Sequence, residues 1–395
     1  MTKNRISWPV MTLTSGPVDA YPAVLRGLSR TIAYDYDPAF QLLYEAVVEK
    51  TRRAMRDSEM PVILHGEPVL GLEAAAASLI STEDVVLNLA SGVYGKGFGY
   101  WAARYAKEVA EIEVPYNEAI DPAAVEAFLR LRPDVRIVAL CHHDTPSGTI
   151  NPAREIGAIV AKHGAYLIVD AVSSFGGMDV HGPDCHADIF VTGPNKCLGS
   201  APGLTMLSVT PRAWAKMKAN PLAPRASMLS ILDWENAWSH DQPFPFTPSV
   251  AEMNGLDAAL DVYLEEGPEV VWKRHGATAS ACRAGVQAMG LKLWPAREAI
   301  ASPTTTAVRV PDGISEPALR SAIRERFGVA FSAGRGETLG KLLRIGHMGP
   351  TAQPIYAVAA VAALGGALNH LGHRADVGAG VAATVAAINT QQGRS

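Results

Sequence analysis

The chain has little cysteine, no block of one-signed charge and no hydrophobic run framed like a membrane span. Only four of its 395 residues are cysteine, Cys141, Cys185, Cys197 and Cys282, and none has the CxxC or Cys/His spacing of a zinc site or redox pair. They read as reduced thiols, which leads us to expect a cytoplasmic protein. Lysine plus arginine (35) nearly balance aspartate plus glutamate (39), for a net charge of -4. With no basic stripe, nucleic acid is not an expected partner. No apolar stretch follows the first residues as it would in a secretory signal. The longest apolar segment, 355–371, is rich in Ala and Gly, contains Asn369 and His370, and lacks basic flanks. A buried helix is expected there, and no membrane partner.

What is present is apolar matter in short continuous runs. A hydrophobic content of 48% over this length can fill a full core and would ordinarily divide into two domains. Strand-length runs recur at 85–89, 137–140, 166–169, 189–191 and 204–207, between helix-like segments at 70–80, 122–131 and 152–163. Because these runs are continuous and not alternating, they fit strands covered on both faces, hence a mostly parallel sheet between helices, an α/β architecture. A long helix is expected over 250–264, with the domain boundary at its end. The rest reads as a small α+β domain: strands at 305–310, 329–332 and 342–345, helices at 316–327 and 355–371, and a terminal helix. The division is therefore a large domain 1–264 and a small C-terminal domain 265–395.

Two groups carry chemistry. The buried run Ala165–Val169 ends in Asp170, and Asp188–Val191 leads into Gly193-Pro194-Asn195-Lys196-Cys197-Leu198-Gly199. A lysine in a glycine-flanked turn is an amine placed to form an imine with an aldehyde. A carboxylate closing a dry strand is costly unless it meets a cation, and a protonated pyridine nitrogen is such a cation.

From Thr14-Ser15-Gly16-Pro17 through this turn to Arg344-Ile345-Gly346-His347-Met348-Gly349, the chain resembles the class V aminotransferases, which are fold-type I pyridoxal-phosphate enzymes. Its branch is that of the alanine-glyoxylate and serine-pyruvate enzymes, and within it the chain is most similar to members that take unphosphorylated vitamin B6 as substrate. The resemblance implies Lys196 as the Schiff-base lysine and Asp170 as the partner of the ring nitrogen. It implies Tyr94 as the aromatic stacked on the ring, and His142 or Thr145 at the ring face or its 3-oxygen. Arg344 becomes the grip on the amino- or keto-acid carboxylate, with Arg335 either a second clamp or an exposed loop residue. Thr247 matches a residue that the neighbouring subunit contributes, so a homo-oligomer is expected, a homotetramer with sites shared between subunits. His142 and His143 lack a third ligand at metal spacing, and no metal is expected. Asp35-Tyr36-Asp37-Pro38 replaces a His-Arg pair of many relatives, and Tyr36 has no assigned role.

The departure that matters lies in His65-Gly66-Glu67-Pro68-Val69, where the family presents backbone N–H groups to a phosphate at a helix N-terminus. Glu67 stands in place of a small hydroxyl residue, and Pro68 removes a donor. A carboxylate ~4 Å from one phosphate charge repels it by about 4 kcal/mol at an effective dielectric of ~20, roughly a thousandfold in binding. Glu67 is thus expected to line the pyridoxal site, with no tightly bound pyridoxal phosphate. The alternative is that it turns to solvent and pyridoxal phosphate binds as usual. The expected activity is amino transfer from pyridoxamine to pyruvate, giving pyridoxal and L-alanine, a step of vitamin B6 degradation. The alternatives are a conventional alanine/serine-glyoxylate/pyruvate aminotransferase and a non-catalytic vitamin-binding regulator.

Overall fold

The computed structural model describes residues 8–392. Its central sheet has seven strands: β1 (Val62–Leu64), β2 (Val85–Ala90), β3 (Glu108–Glu113), β4 (Val135–Cys141), β5 (Tyr166–Asp170), β6 (Ile189–Thr192) and β7 (Thr205–Val209), in the spatial order β1-β7-β6-β5-β4-β2-β3. The pairs β2–β3, β2–β4, β4–β5 and β5–β6 are parallel, and β7 alone runs antiparallel, to both β6 and β1. All of β1, β2 and β6 is buried, as expected where helices cover both faces.

Local sequence sets where the covering helices start. Asp37 and Asp121 precede Pro38 and Pro122, and each aspartate accepts the backbone N–H two residues on, at 2.8 and 3.0 Å. Proline at the first helical position forfeits only an N–H that had no partner there, while the aspartate satisfies another. Loss of either cap costs about 1 kcal/mol.

A second apolar cluster lies beyond helix Val250–Glu266. It contains Cys282, Val286, Ile323, Ile345, Val361 and Leu364. Its sheet is β8 (Thr305–Arg309), β9 (Ser332–Ala333) and β10 (Leu342–Gly346), ordered β8-β10-β9. Helices Pro268–Ala288, Glu316–Phe327, Pro354–His370 and Val377–Gln392 complete this part. The apolar segment 355–371 is therefore a packed helix, and among the described residues no helix is long and apolar enough to cross a membrane.

The N-terminal segment joins this second cluster before crossing to the first. Met11–Thr12 pairs with Val329–Ala330, and Leu13 is wholly buried in the second cluster. The N–H of Gly346 donates to Leu13 O at 2.9 Å, and a Cβ on Gly346 would sit 2.1 Å from Thr14 O. Glycine at 346 lets the segment pass β10 and enter the cleft at Ser15-Gly16-Pro17.

Candidate active site

Five strands that run in one direction end on one edge of the large sheet, and four of them lead to side chains that line the same cavity. β1 leads to Glu67, β2 to Tyr94, β5 ends in Asp170, and β6 leads to Lys196, while β4 leads to Asp144 and Thr145, which bond to the wall residues Tyr94 and Ser173. Pairing Cys141 with Asp170 and Asp170 with Val191 aligns these ends. Clefts outside the carboxyl ends of parallel strands are where open α/β sheets bind ligands. Here the cleft is a cavity of about 480 Å³ whose lining includes Glu67, Tyr94, Asp170, Asn195, Lys196 and Arg335.

Lys196 Nζ donates to Ser15 O at 2.8 Å. Removal from water, reinforced by the positive field of Arg344, lowers its pKa to about 8, so a neutral amine is accessible near physiological pH. Gly16, in the left-handed region at φ 136°, makes this possible, since a Cβ there would lie 1.8 Å from Nζ. The carboxyl of Asp170 accepts the Val172 N–H at 2.9 Å, yet burial pushes its pKa up to about 6. A carboxylate held at that value gains most from a cationic partner.

Tyr94 opens helix Val93–Tyr105 and is partly buried. The Arg335 guanidinium lies 5.7 Å from its ring centroid and donates to its hydroxyl at 3.4 Å. Arg335 itself is exposed. Arg344, on β10 facing Ser332 in register, donates from Nε to Ala333 O at 2.7 Å. Burial depresses its pKa to about 10. Its terminal nitrogens have no hydrogen-bond partner among the described residues, which leaves the planar fork free for a carboxylate.

Glu67 is exposed at the N-terminus of helix Pro68–Leu79 and caps it with no side-chain bond. It lines the cavity and contributes a negative field at Lys196. Backbone donors are scarce beside it: Pro68 has none, and the Leu70 N–H already donates to Glu67 O at 2.8 Å. That last bond is invisible in the sequence and reinforces the effect of the proline.

Two of the expected ring neighbours are placed differently from each other. Thr145 is fully buried with its hydroxyl 2.7 Å from Ser173 Oγ, and Ser173 lines the Lys196 cavity. His142 does not line that cavity. It faces a separate one of about 530 Å³ with Asp121, Asn151, Arg154 and Arg297. The reason is the alternation of the extended chain after β4: the His142 backbone bonds to Asp170 O, and the next side chain, His143, turns the other way to Ser173 O at 3.0 Å. Thr247 is exposed and lies outside the cavity of its own chain. The possible metal-ligand group Asp179, His181 and Asp184 is spanned by Arg154, which bonds to both carboxylates.

Sequence reasoning missed several wall residues, among them Gly16, Val69, Ser173 and Asn195. Asn195 lines the cavity, and its Oδ1 is buried with no hydrogen-bond partner. Its position next to Lys196 was the available signal. These residues fit a flat aromatic aldehyde or amine: a lysine amine, a carboxylate for the ring nitrogen and an aromatic face.

Comparison with known proteins bears on the family and the fold. The family model for aminotransferase class-V matches residues 99–348. The chain is 73% identical to pyridoxamine-pyruvate transaminase of Mesorhizobium japonicum, over 96% of this chain and 97% of that one. A solved pyridoxamine-pyruvate aminotransferase from Mesorhizobium loti superposes with a TM-score of 0.97 at 71% identity, covering 99% of this chain and 100% of the other. The ureidoglycine-glyoxylate aminotransferase of Bacillus subtilis gives 0.92 at 27% identity, covering 98% and 100%.

Proposed function

The chain belongs to the class V aminotransferases, and from that premise we propose that it moves an amino group from pyridoxamine to pyruvate, giving pyridoxal and L-alanine. The observation that carries the choice of an unphosphorylated vitamin is the cup at helix Pro68–Leu79. A carboxylate stands there, the first N–H is missing, and the third is taken by the Glu67 carbonyl. The 73% identity to the Mesorhizobium japonicum enzyme supports the same reading.

When bound, the vitamin's pyridine ring supplies the electron sink. Asp170 would pair with the ring nitrogen and keep it protonated, and Tyr94 would support the ring face. Lys196, with its pKa lowered to about 8, serves as acid and base at Nζ, because a group titrating near the working pH can both release and accept a proton. Arg344 orients the carboxylate of the keto acid through two parallel hydrogen bonds, and Arg335 closes over Tyr94 as a second cation. Thr145 steadies the Ser173 wall, and His142 acts from outside the cavity through its backbone bond to Asp170. Thr247 completes a neighbouring copy's site in a homotetramer, which is our reading of its exposure and its family position.

The experiment is mass spectrometry of ligands extracted from purified protein, paired with assays of pyridoxamine and of its phosphate against pyruvate. Turnover of pyridoxamine, with no retained phosphate ester, is expected. A stoichiometric pyridoxal phosphate with no pyridoxamine turnover would overturn the proposal in favour of a conventional alanine or serine aminotransferase.

A further inference from the structure

Helix Val93–Tyr105, which carries Tyr94, begins after Gly92 and so has no side chain of its own to cap it. The cap comes from elsewhere in the chain. Asp144 is fully buried, and its Oδ2 accepts the N–H of Tyr94 at 2.7 Å and that of Gly95 at 3.1 Å. The fit requires glycine at 92, where a Cβ would lie 2.2 Å from the Asp144 carboxyl carbon. The other oxygen, Oδ1, is buried and has no hydrogen-bond partner.

We propose that Asp144 is a positioning residue for the ring-stacking Tyr94, holding the start of its helix through the two backbone N–H groups. Holding the helix needs an oxygen acceptor, which an amide also offers and a methyl group does not. The consequence for the ring rests on the amino-transfer reading above, while the cap is a property of the free protein.

Asp144→Asn and Asp144→Ala test this in the full-length protein. In ligand-free protein, hydrogen exchange at the Tyr94 and Gly95 amides should stay within about threefold of wild type in D144N and accelerate at least tenfold in D144A. Equal protection in D144A, or equal loss in both, overturns the capping role. In pyridoxal titrations read by visible absorbance, D144N should bind within about twofold of wild type and D144A should bind at least tenfold more weakly. In turnover, D144A should raise the KM for pyridoxamine at least tenfold and D144N less than twofold; the same KM in all three proteins overturns the positioning of Tyr94. Should D144A fail to fold, Gly92→Ala, whose Cβ would lie 2.2 Å from the Asp144 carboxyl carbon and displace it, should show the same loss of amide protection and of pyridoxal binding; full protection in G92A overturns the cap. Absence of pyridoxamine-pyruvate turnover in the wild type would instead sink the proposed function, and the exchange measurement would still decide the capping role.

Discussion

Replacing Glu67 by glutamine removes one charge from the mouth of the cavity and leaves its shape nearly intact. Because Glu67 is exposed, its repulsion of a phosphate group is screened beyond the value for a sheltered pair. At ~4 Å, effective dielectrics between ~20 and ~80 bracket the term at about 4 down to about 1 kcal/mol per phosphate charge. Affinity for pyridoxal phosphate should therefore rise about fivefold at least and roughly a thousandfold at most, with the upper end reached only if the side chain leans over the cup. Charge is half of the obstacle. Pro68 offers no N–H, and the Leu70 N–H is engaged with the Glu67 carbonyl. A charge-assisted hydrogen bond is worth about 1.5–3 kcal/mol, so Glu67→Gln combined with Pro68→Gly should add roughly another tenfold or more. The assay is absorbance titration of each variant with pyridoxal and with its phosphate, at low and high salt. The gain should be confined to the phosphate ester, and salt should narrow the gap between wild type and variant, as it does for exposed charges. If E67Q binds the ester no better than wild type does, or binds both vitamers better by the same factor, the electrostatic account of the cup is wrong.

Lys196→Ala should abolish turnover and the visible absorbance of lysine-bound pyridoxal; retained turnover would remove Lys196 from the mechanism. The rate at which free protein captures pyridoxal should climb with pH and level off above about 8, because the neutral amine is the attacking form and burial has brought its pKa to about that value; stopped-flow absorbance from pH 6 to 10 reads this, and a rate still climbing to pH 10 would contradict it. Arg344→Lys keeps the charge and loses the fork, so the KM for pyruvate should rise about tenfold or more, with a smaller change for pyridoxamine in steady-state kinetics. Gly16→Ala should cost pyridoxal binding out of proportion to melting temperature, since its Cβ would occupy the space of Lys196 Nζ.

The sequence is legible where one short window holds the whole physical reason. The continuous apolar runs of β2, β4, β5 and β6 announce a parallel core, the run of β7 gives the same signal although that strand is antiparallel, and Asp or Thr before proline marks the helix starts at Pro38, Pro122 and Pro211. Legibility fails where the reason lies far along the chain. β1 is three residues long, and β3, with the sequence Glu-Val-Ala-Glu-Ile-Glu, is a half-exposed edge strand that reads equally well as a charged helix face. Helix Val93–Tyr105 contains Gly95, Gly97 and Gly99, each unfavourable in a helix, and its cap is supplied by Asp144, about fifty residues away. The site divides the same way. Lys196 and Asp170 are legible as neighbours because each lies at or just beyond the end of a buried strand, β6 and β5, and both line the cavity. The contact of Lys196 with Ser15 O spans 181 residues, and the bond from Leu70 to the Glu67 carbonyl depends on backbone geometry that no residue type specifies.

Four charged groups, Lys196, Arg344, Asp144 and Asp170, share one condition. Burial drives the pKa of Lys196 down to about 8 and that of Arg344 to about 10, and it lifts those of Asp144 and Asp170 to about 6. Each is therefore held in its charged form less comfortably than water would hold it. The cations do not pair with the anions directly: Lys196 rests on a carbonyl, Arg344 on another, and Asp144 and Asp170 on backbone N–H groups. Direct pairing would relieve the burden and would also neutralise the groups that must engage a substrate. On the proposed function, a protonated ring nitrogen at Asp170 and a keto-acid carboxylate at Arg344 would supply the missing opposite charges without moving the protein's own. The fold spends stability to keep these groups apart, and binding energy is then drawn from completing each charge pair at the place where the chemistry happens.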